Sequence, residues 1–439
     1  MTPDFALHRK TLLDRLPEGE AVLLFGSPHH LRNGDAEYRY RPSSDLYWLT
    51  GWPDPEVALL VKHGEAPFTL FVQKKDPELE TWTGYRPGPR GAVEDYGVDE
   101  AHEISELPDK LVDLLQGVTA LHYAWADEPE HDALLAAVLR KTQRKSRKSK
   151  LPTPLTFHHP AKLLHELRLI KNDAEIAVMR EAARISGIAH REAMAKAAPG
   201  VGEWEIDALL TYVYRREGGE GPGYTNIVAG GENACILHYI KNDLPLEDGD
   251  LLLIDSGAEV GFYTADVTRT FPVNGRFTRE QREVYEIVLD AQLAAIDAAR
   301  AGRPYQDMHE VATRILTEGM VKLGLLEGDV DALIEEEAHK KYYMHGTGHW
   351  LGLDVHDVGL YHEPGESRAL QPGMVVTVEP GLYIPIDDES APERYRGIGV
   401  RIEDDVLVTA GEPDVLTADI PKSIADVEAA CQGARIAAK

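Results

Sequence analysis

The chain has 439 residues, enough for two domains and a buried polar cavity, and its 43% apolar and 27% charged content is ordinary globular usage. No stretch reaches the roughly 20 apolar residues that span a bilayer, and a formal net charge of −28 repels phosphate backbones, so neither a membrane nor a nucleic acid is an expected partner. Cys235 and Cys431 are too few for a disulfide framework or a thiolate metal site, and the opening MTPDFALHRKTLLDRLPEGE lacks the apolar core of an export signal, so a reducing cytoplasm is the expected compartment.

In the first third, the runs AVLLFG, VALLVK and FTLFVQ alternate with amphipathic stretches such as LPDKLVDLLQ, which predicts an α/β domain around a central sheet. The basic run RKTQRKSRKSKLPTP (140–154) reads as a linker, since its prolines forbid regular helix. It divides the chain into domains 1–155 and 156–439. Beyond it, HPAKLLHELRLIKNDAEIAVMREAARISGIAHREAMAKAA repeats apolar residues at helical spacing, with Asn172 or Asp173 placed to cap a new helix and Pro199-Gly200 to end it. Strands are expected near 227, 251–254, 263–271, 375–378 and 398–408, interleaved with amphipathic helices over 279–300 and 305–323, which makes the second domain α+β.

Four acids fall inside these apolar strands. The polar turn near GAEVGFY can fold LLLID against YTADVTRTF as a hairpin, bringing Asp255 and Asp266 onto one face. Glu379 lies in VVTVEPGLYI and Glu403 in GVRIEDDVLVT, where alternation puts Glu403 on the same face as Arg401. Taken singly, each acid reads as the partner of an arginine or of a loop backbone. Together they outnumber the nearby bases, Arg269 and Arg401, and two carboxylates ~4 Å apart repel by about 4 kcal/mol at an effective dielectric near 20. Such a group needs cations.

MHGTGHWLGLDVHD places His345, His349 and His356 in a Gly-rich segment that bends closely around a site, while the Glu that a helical His-x-x-x-His zinc motif needs is missing. Four carboxylates and one imidazole form a hard, oxygen-rich set for two divalent ions, for which manganese or cobalt is better suited than structural zinc. Two ions roughly 3.5–4 Å apart can hold a bridging hydroxide and polarise a carbonyl for hydrolysis. Spacing alone leaves open which histidine is the ligand.

Together IDSGAEVGFYTADVTRTF, HGTGHWLGLDVHDVG, VVTVEPGLY and YRGIGVRIEDDVLVT resemble the pita-bread-fold metallopeptidases, specifically the aminopeptidase P (Xaa-Pro aminopeptidase) family, and SSDLYWLTGWPDPE is similar to that family's smaller creatinase-like α/β first domain. The resemblance implies a C-terminal pita-bread α+β domain that removes the first residue from peptides with proline second. It implies five metal ligands, Asp255, Asp266, His349, Glu379 and Glu403, with Asp266 and Glu403 bridging two ions, most often Mn2+ and otherwise Co2+ or Zn2+. It makes His238, His345 and His356 the non-ligand active-site histidines and Glu379 the proton acceptor. Arg401 and Tyr383 are implied as supporting or substrate-binding groups. Trp82 in ETWTG is implied to reach a neighbouring subunit's pocket in a homodimer or homotetramer. Prolidase, which cleaves Xaa-Pro dipeptides, shares the five ligands and is the alternative activity, although ETWTGYRPGPRGA and YRGIGVRIEDD are more similar to aminopeptidase P. A non-catalytic binding protein on the same fold is the contrary reading.

Overall fold

Strand formation in the first third follows its apolar runs. The computed structural model describes residues 2–437. Residues 3–168 form one compact unit and residues 169 onward a second. In the first, Glu20–Phe25, Ala58–Lys62 and Phe68–Val72 pair antiparallel, and Glu100–Glu103, Ala120–His122 and Thr156–His158 extend the sheet by parallel pairing. The interior of the three antiparallel strands is buried, as expected for a sheet covered by helices. Leu111 and Leu115, with Leu135, Val138 and Leu139 of the helix Pro129–Ser149, close its core against Leu23, Leu60 and Phe71.

The basic run is not a linker. Residues 140–149 are the last turns of that 21-residue helix, where cationic side chains oppose the negative end of the helix dipole. The chain leaves the first unit after Arg168, later than the expected 155/156 division, because Thr156–His158 is that sheet's edge strand.

In the second unit, the helix Asp173–Lys196 begins with a capping box: Asn172 accepts from the backbone N–H of Glu175, and Glu175 accepts in return from that of Asn172. Its apolar face, those of Glu203–Arg216, Arg279–Ala298 and Gln306–Leu323, and the strands share one core containing Ile185, Leu210, Val288, Leu316, Ile254 and Val376. Leu251–Asp255 sits between Ile227–Gly230 and Thr268–Pro272, antiparallel to both. Val375–Val378 pairs with Asp404–Leu407, and Gly381–Tyr383 with Gly399–Arg401.

The four acids do not sit inside strands. Asp255 is the last residue of its strand, and Asp266 lies in the gap between Tyr263–Thr264 and Thr268–Pro272. Glu379 lies between Val375–Val378 and Gly381–Tyr383, and Glu403 between Gly399–Arg401 and Asp404–Leu407. The expected hairpin is correspondingly offset: Asp255 pairs with Thr268, so Asp266 lies beyond the ladder. The crossing there is close. A Cβ on Gly257 would come within 1.7 Å of the Ala265 carbonyl, so only glycine permits this approach of the two acid-bearing segments.

Arg269, fully buried, spends all five donors without reaching any of the four carboxylates. It binds Asp404 at 2.7 Å and the carbonyls of Thr268, Glu403, Ile420 and Pro421. Asp404 also accepts from Lys422, Gln292 and Thr417. Arg269→Met should therefore lower stability by about 3–5 kcal/mol, read as a lower urea midpoint with unchanged slope. A loss below about 1 kcal/mol would mean that the four carbonyls find other partners.

Candidate metal centre

The strand breaks turn their acids into a cavity of about 470 Å³, lined by Asp255, Asp266, Glu379, Glu403, His349, His238, His345, His356 and Arg401. Nine of the ten expected site residues other than Trp82 line it, and Tyr383 differs. Its ring is buried behind His345 and Arg401, with its hydroxyl 2.8 Å from His345 Nε2 and 3.1 Å from Arg401 Nη1, so it supports the wall rather than meeting a substrate. Trp82 belongs to the first unit, 85% exposed on the helix Pro77–Thr83.

Asp266, His349 and Glu403 each bring a ligand atom within 4.8 Å of the others. His349 Nε2 stands 3.3 Å from Asp266 Oδ2 and 3.6 Å from Glu379 Oε1. Its Nδ1 lies 3.0 Å from the Trp350 carbonyl, and a proton donated there leaves Nε2 facing the acids. Arg401 Nη2 binds Asp255 Oδ2 at 2.6 Å, and the Thr268 hydroxyl donates to Glu403 Oε2 at 2.6 Å. The Tyr224 hydroxyl lies against both Asp255 and Asp266, so one O–H proton serves two carboxylates. The donor set, its spacing and its burial fit divalent cations.

The electrostatics record the crowding. Burial, and then the charges of Asp266, Glu379 and Asp255, push the Glu403 carboxyl well above its usual range. Glu379 is raised to about 7, mainly by burial, against the opposing pull of His349 and Arg401. Burial alone would lower His349, but its hydrogen bond to Asp266 and the neighbouring carboxylates hold it up at about 9. His345 moves the other way, to about 4, through burial and then the Arg401 charge, and is therefore neutral at pH 7. His356 is also lowered, first by burial and then by His349.

Tyr224, Thr268 and Asp405 escaped the sequence reading. Asp405 accepts from the Asp266 backbone N–H at 3.2 Å and fixes the break that presents Asp266. Its signal was available, because three consecutive acids in RIEDDVLV cannot all face water along a strand. Tyr224, a lone aromatic just after the short strand Gly221–Pro222, carries no periodic signal. A cavity of about 500 Å³ elsewhere in this unit contains buried Glu203, but that carboxylate already accepts from Gly230, Asn233, Tyr239 and Leu244.

The raised groups set a pH dependence. Glu379, raised from 4.5 to about 7, makes the metal-free fold lose stability as pH climbs between those values, since the fold holds a proton that the unfolded chain releases. His349, raised from 6.5 to about 9, contributes stability that is complete below 6.5 and lost as pH rises through 9. The rise in Tm on adding Mn2+ or Zn2+ should accordingly be larger at pH 8 than at pH 5.5; an equal or smaller rise at pH 8, in matched thermal melts, contradicts this assignment.

Residues 177–410 match the family model for metallopeptidase family M24, and residues 5–122 match that for the aminopeptidase P N-terminal domain. The Xaa-Pro aminopeptidase of Escherichia coli (strain K12) is 43% identical over 435 residues, covering 98% of each chain. Xaa-Pro aminopeptidase 3 of Homo sapiens is 34% identical, covering 98% of this chain and 86% of its own. Among solved structures, Pseudomonas aeruginosa aminopeptidase PepP matches with a TM-score of 0.96 at 44% identity, covering 99% of this chain and 98% of that one. Zn-substituted E. coli aminopeptidase P in complex with product matches with a TM-score of 0.94 at 42% identity, over 98% of both chains. With both domain models matched and relatives aligned along nearly its whole length, this chain belongs to the aminopeptidase P group of metallopeptidase family M24.

Proposed function

We propose that the chain is an Xaa-Pro aminopeptidase that hydrolyses the bond between an N-terminal residue and a following proline, using two divalent cations, Mn2+ in preference to Co2+ or Zn2+, held by Asp255, Asp266, His349, Glu379 and Glu403. Asp266 and Glu403 are the proposed bridging ligands. The observation that carries this reading is the meeting of four strand-break carboxylates and His349 in one cavity where, among the described residues, Arg401 is the only lysine or arginine. Relatives aligned end to end that are named Xaa-Pro aminopeptidases support this activity over the dipeptidase alternative.

Bound dications would supply Lewis acidity, polarising the scissile carbonyl and lowering the pKa of water. The chain's own groups do the rest. Glu379 takes the proton that the attacking water gives up, and its backbone N–H, bonded to the Thr347 carbonyl at 2.8 Å, holds it beside His349. Neutral His345 is fixed by Tyr383, and its other nitrogen bonds the Gly346 carbonyl. His238 and His356 border the cavity where Ile227, Leu237, Ile240 and Val355 form an apolar wall. That wall suits a pyrrolidine ring, whose tertiary amide offers no N–H for a strand-like grip. Arg401 binds Asp255, opposes the crowd of negative charge and anchors Tyr383.

A homodimer or homotetramer with Trp82 acting on a neighbouring subunit belongs to the same proposal, as does a cytoplasmic location, in keeping with a sequence of only two cysteines.

A substrate series of Ala-Pro, Ala-Pro-Ala and Ala-Pro-Ala-Ala, with metal content measured on the same sample, should show about two dications per chain, turnover of the longer peptides and its loss to chelator. Turnover confined to Ala-Pro would make the protein a prolidase, and a manganese-supplemented protein inert to all three would be a binding module. Asp266→Asn should lower kcat/KM by about 1000-fold or more while the metal-free variant melts no lower than the metal-free parent, because one repelling charge has gone. Near-normal turnover in that variant removes Asp266 from the ligand set.

A further inference from the structure

One ion pair in the second unit lies close to the cavity without lining it. Lys171 Nζ is 2.9 Å from Asp357 Oδ2, and both side chains are 1% exposed. The pair joins three segments. The Lys171 backbone N–H donates to the Gly373 carbonyl at 2.8 Å, in the turn that enters Val375–Val378 and leads to Glu379. Asp357 directly follows His356, and its own N–H donates to the Trp350 carbonyl at 2.8 Å. The His356 ring meets the His349 ring edge-on, centroids 4.4 Å apart.

Residues 351–358 form neither helix nor strand, so no ladder of backbone bonds holds His356 in place. The side chains of the ion pair take over that task. A Cβ on Gly352 would lie 2.2 Å from Asp357 Oδ2 and 2.9 Å from Lys171 Cε, so the pair fills the space above Gly352 and clamps the loop from behind. The Gly352 carbonyl in turn accepts from the Thr264 N–H at 3.0 Å, two residues before Asp266. A buried ion pair is a poor source of stability, because apolar residues of equal volume often serve as well, whereas its directional geometry does specify where a loop sits.

We propose that the Lys171–Asp357 pair is a positioning device that sets His356 against the cavity for substrate. This rests on the reading of His356 as a substrate-facing histidine given above. Neither Lys171 nor Asp357 lines the cavity, so both act through His356.

The test uses the Mn2+-loaded full chain and Ala-Pro-Ala. Asp357→Asn should keep its metal content and lower kcat/KM by about 10- to 100-fold, the usual penalty for displacing a reacting-site group by about 1 Å. In a His356→Ala background the same change should alter kcat/KM by less than about twofold, since the group it positions is already gone. A purely structural role would instead lower activity by the same factor in both backgrounds. That equality, or a folded and metal-loaded Asp357→Asn enzyme within about twofold of the parent, overturns the proposal. If Asp357→Asn does not fold, Lys171→Met combined with Asp357→Leu leaves no stranded charge and goes through the same cycle with the same two deciding outcomes. A parent protein inactive on every Xaa-Pro peptide would instead sink the functional reading itself, before any variant is made.

Discussion

Repulsion among carboxylates held together out of water is the constraint around which the second unit is organised. Four of them face one guanidinium across the cavity. At separations near 4 Å each pair costs about 4 kcal/mol even at an effective dielectric of 20, and no fold keeps such a group without counter-charge. The protein divides its cations strictly. Arg269 and Lys422 go to Asp404, Lys171 goes to Asp357, and among the described residues Arg401 is the one lysine or arginine that reaches the acids of the cavity, at Asp255. A protonated His349 and a hydrogen-bonded Tyr224 relieve the remainder in the metal-free chain. Divalent cations relieve it more completely, by replacing a shared proton with two full charges.

Strand breaks are what make this convergence geometrically available. Inside a regular strand, side chains alternate between faces and the backbone is committed to its neighbours. Where the ladder stops, the backbone can turn, and each of the four acids occupies such a stop. The freed backbone groups are still satisfied. The Asp266 N–H goes to Asp405, the Glu403 N–H to the Thr268 carbonyl and the Glu379 N–H to the Thr347 carbonyl. The same bonds that compensate each break aim its carboxylate, so local irregularity and site geometry have one cause.

The histidines divide by environment in the same way. His349 touches two carboxylates and is driven towards the charged form, while His345, buried beside Arg401 and Tyr383, is driven towards the neutral one. An imidazole held among carboxylates, which gives up its proton when a cation binds, and the neutral His345 place cation-binding and proton-handling groups of one residue type in the same cavity.

Much of this was legible in the amino-acid order. Apolar periodicity located the helices Arg279–Ala298 and Gln306–Leu323 almost to their ends, Asn172 or Asp173 marked the start of the helix Asp173–Lys196, and acids set in β-forming text marked the cavity before any geometry was known. Composition alone misread the basic run as a linker, because charge pattern does not distinguish a solvated helix end from a connector. Register lay beyond the sequence, since it depends on which strands meet: Asp266 fell outside the ladder because Asp255 pairs with Thr268. Tyr224 near two acids, Tyr383 behind the wall and Lys171 beneath the His356 loop are contacts between residues far apart in the chain. Local pattern determines what each segment tends to be and which charges need neutralising; only the packed tertiary structure decides which partner neutralises which, because that choice is made by distance in space.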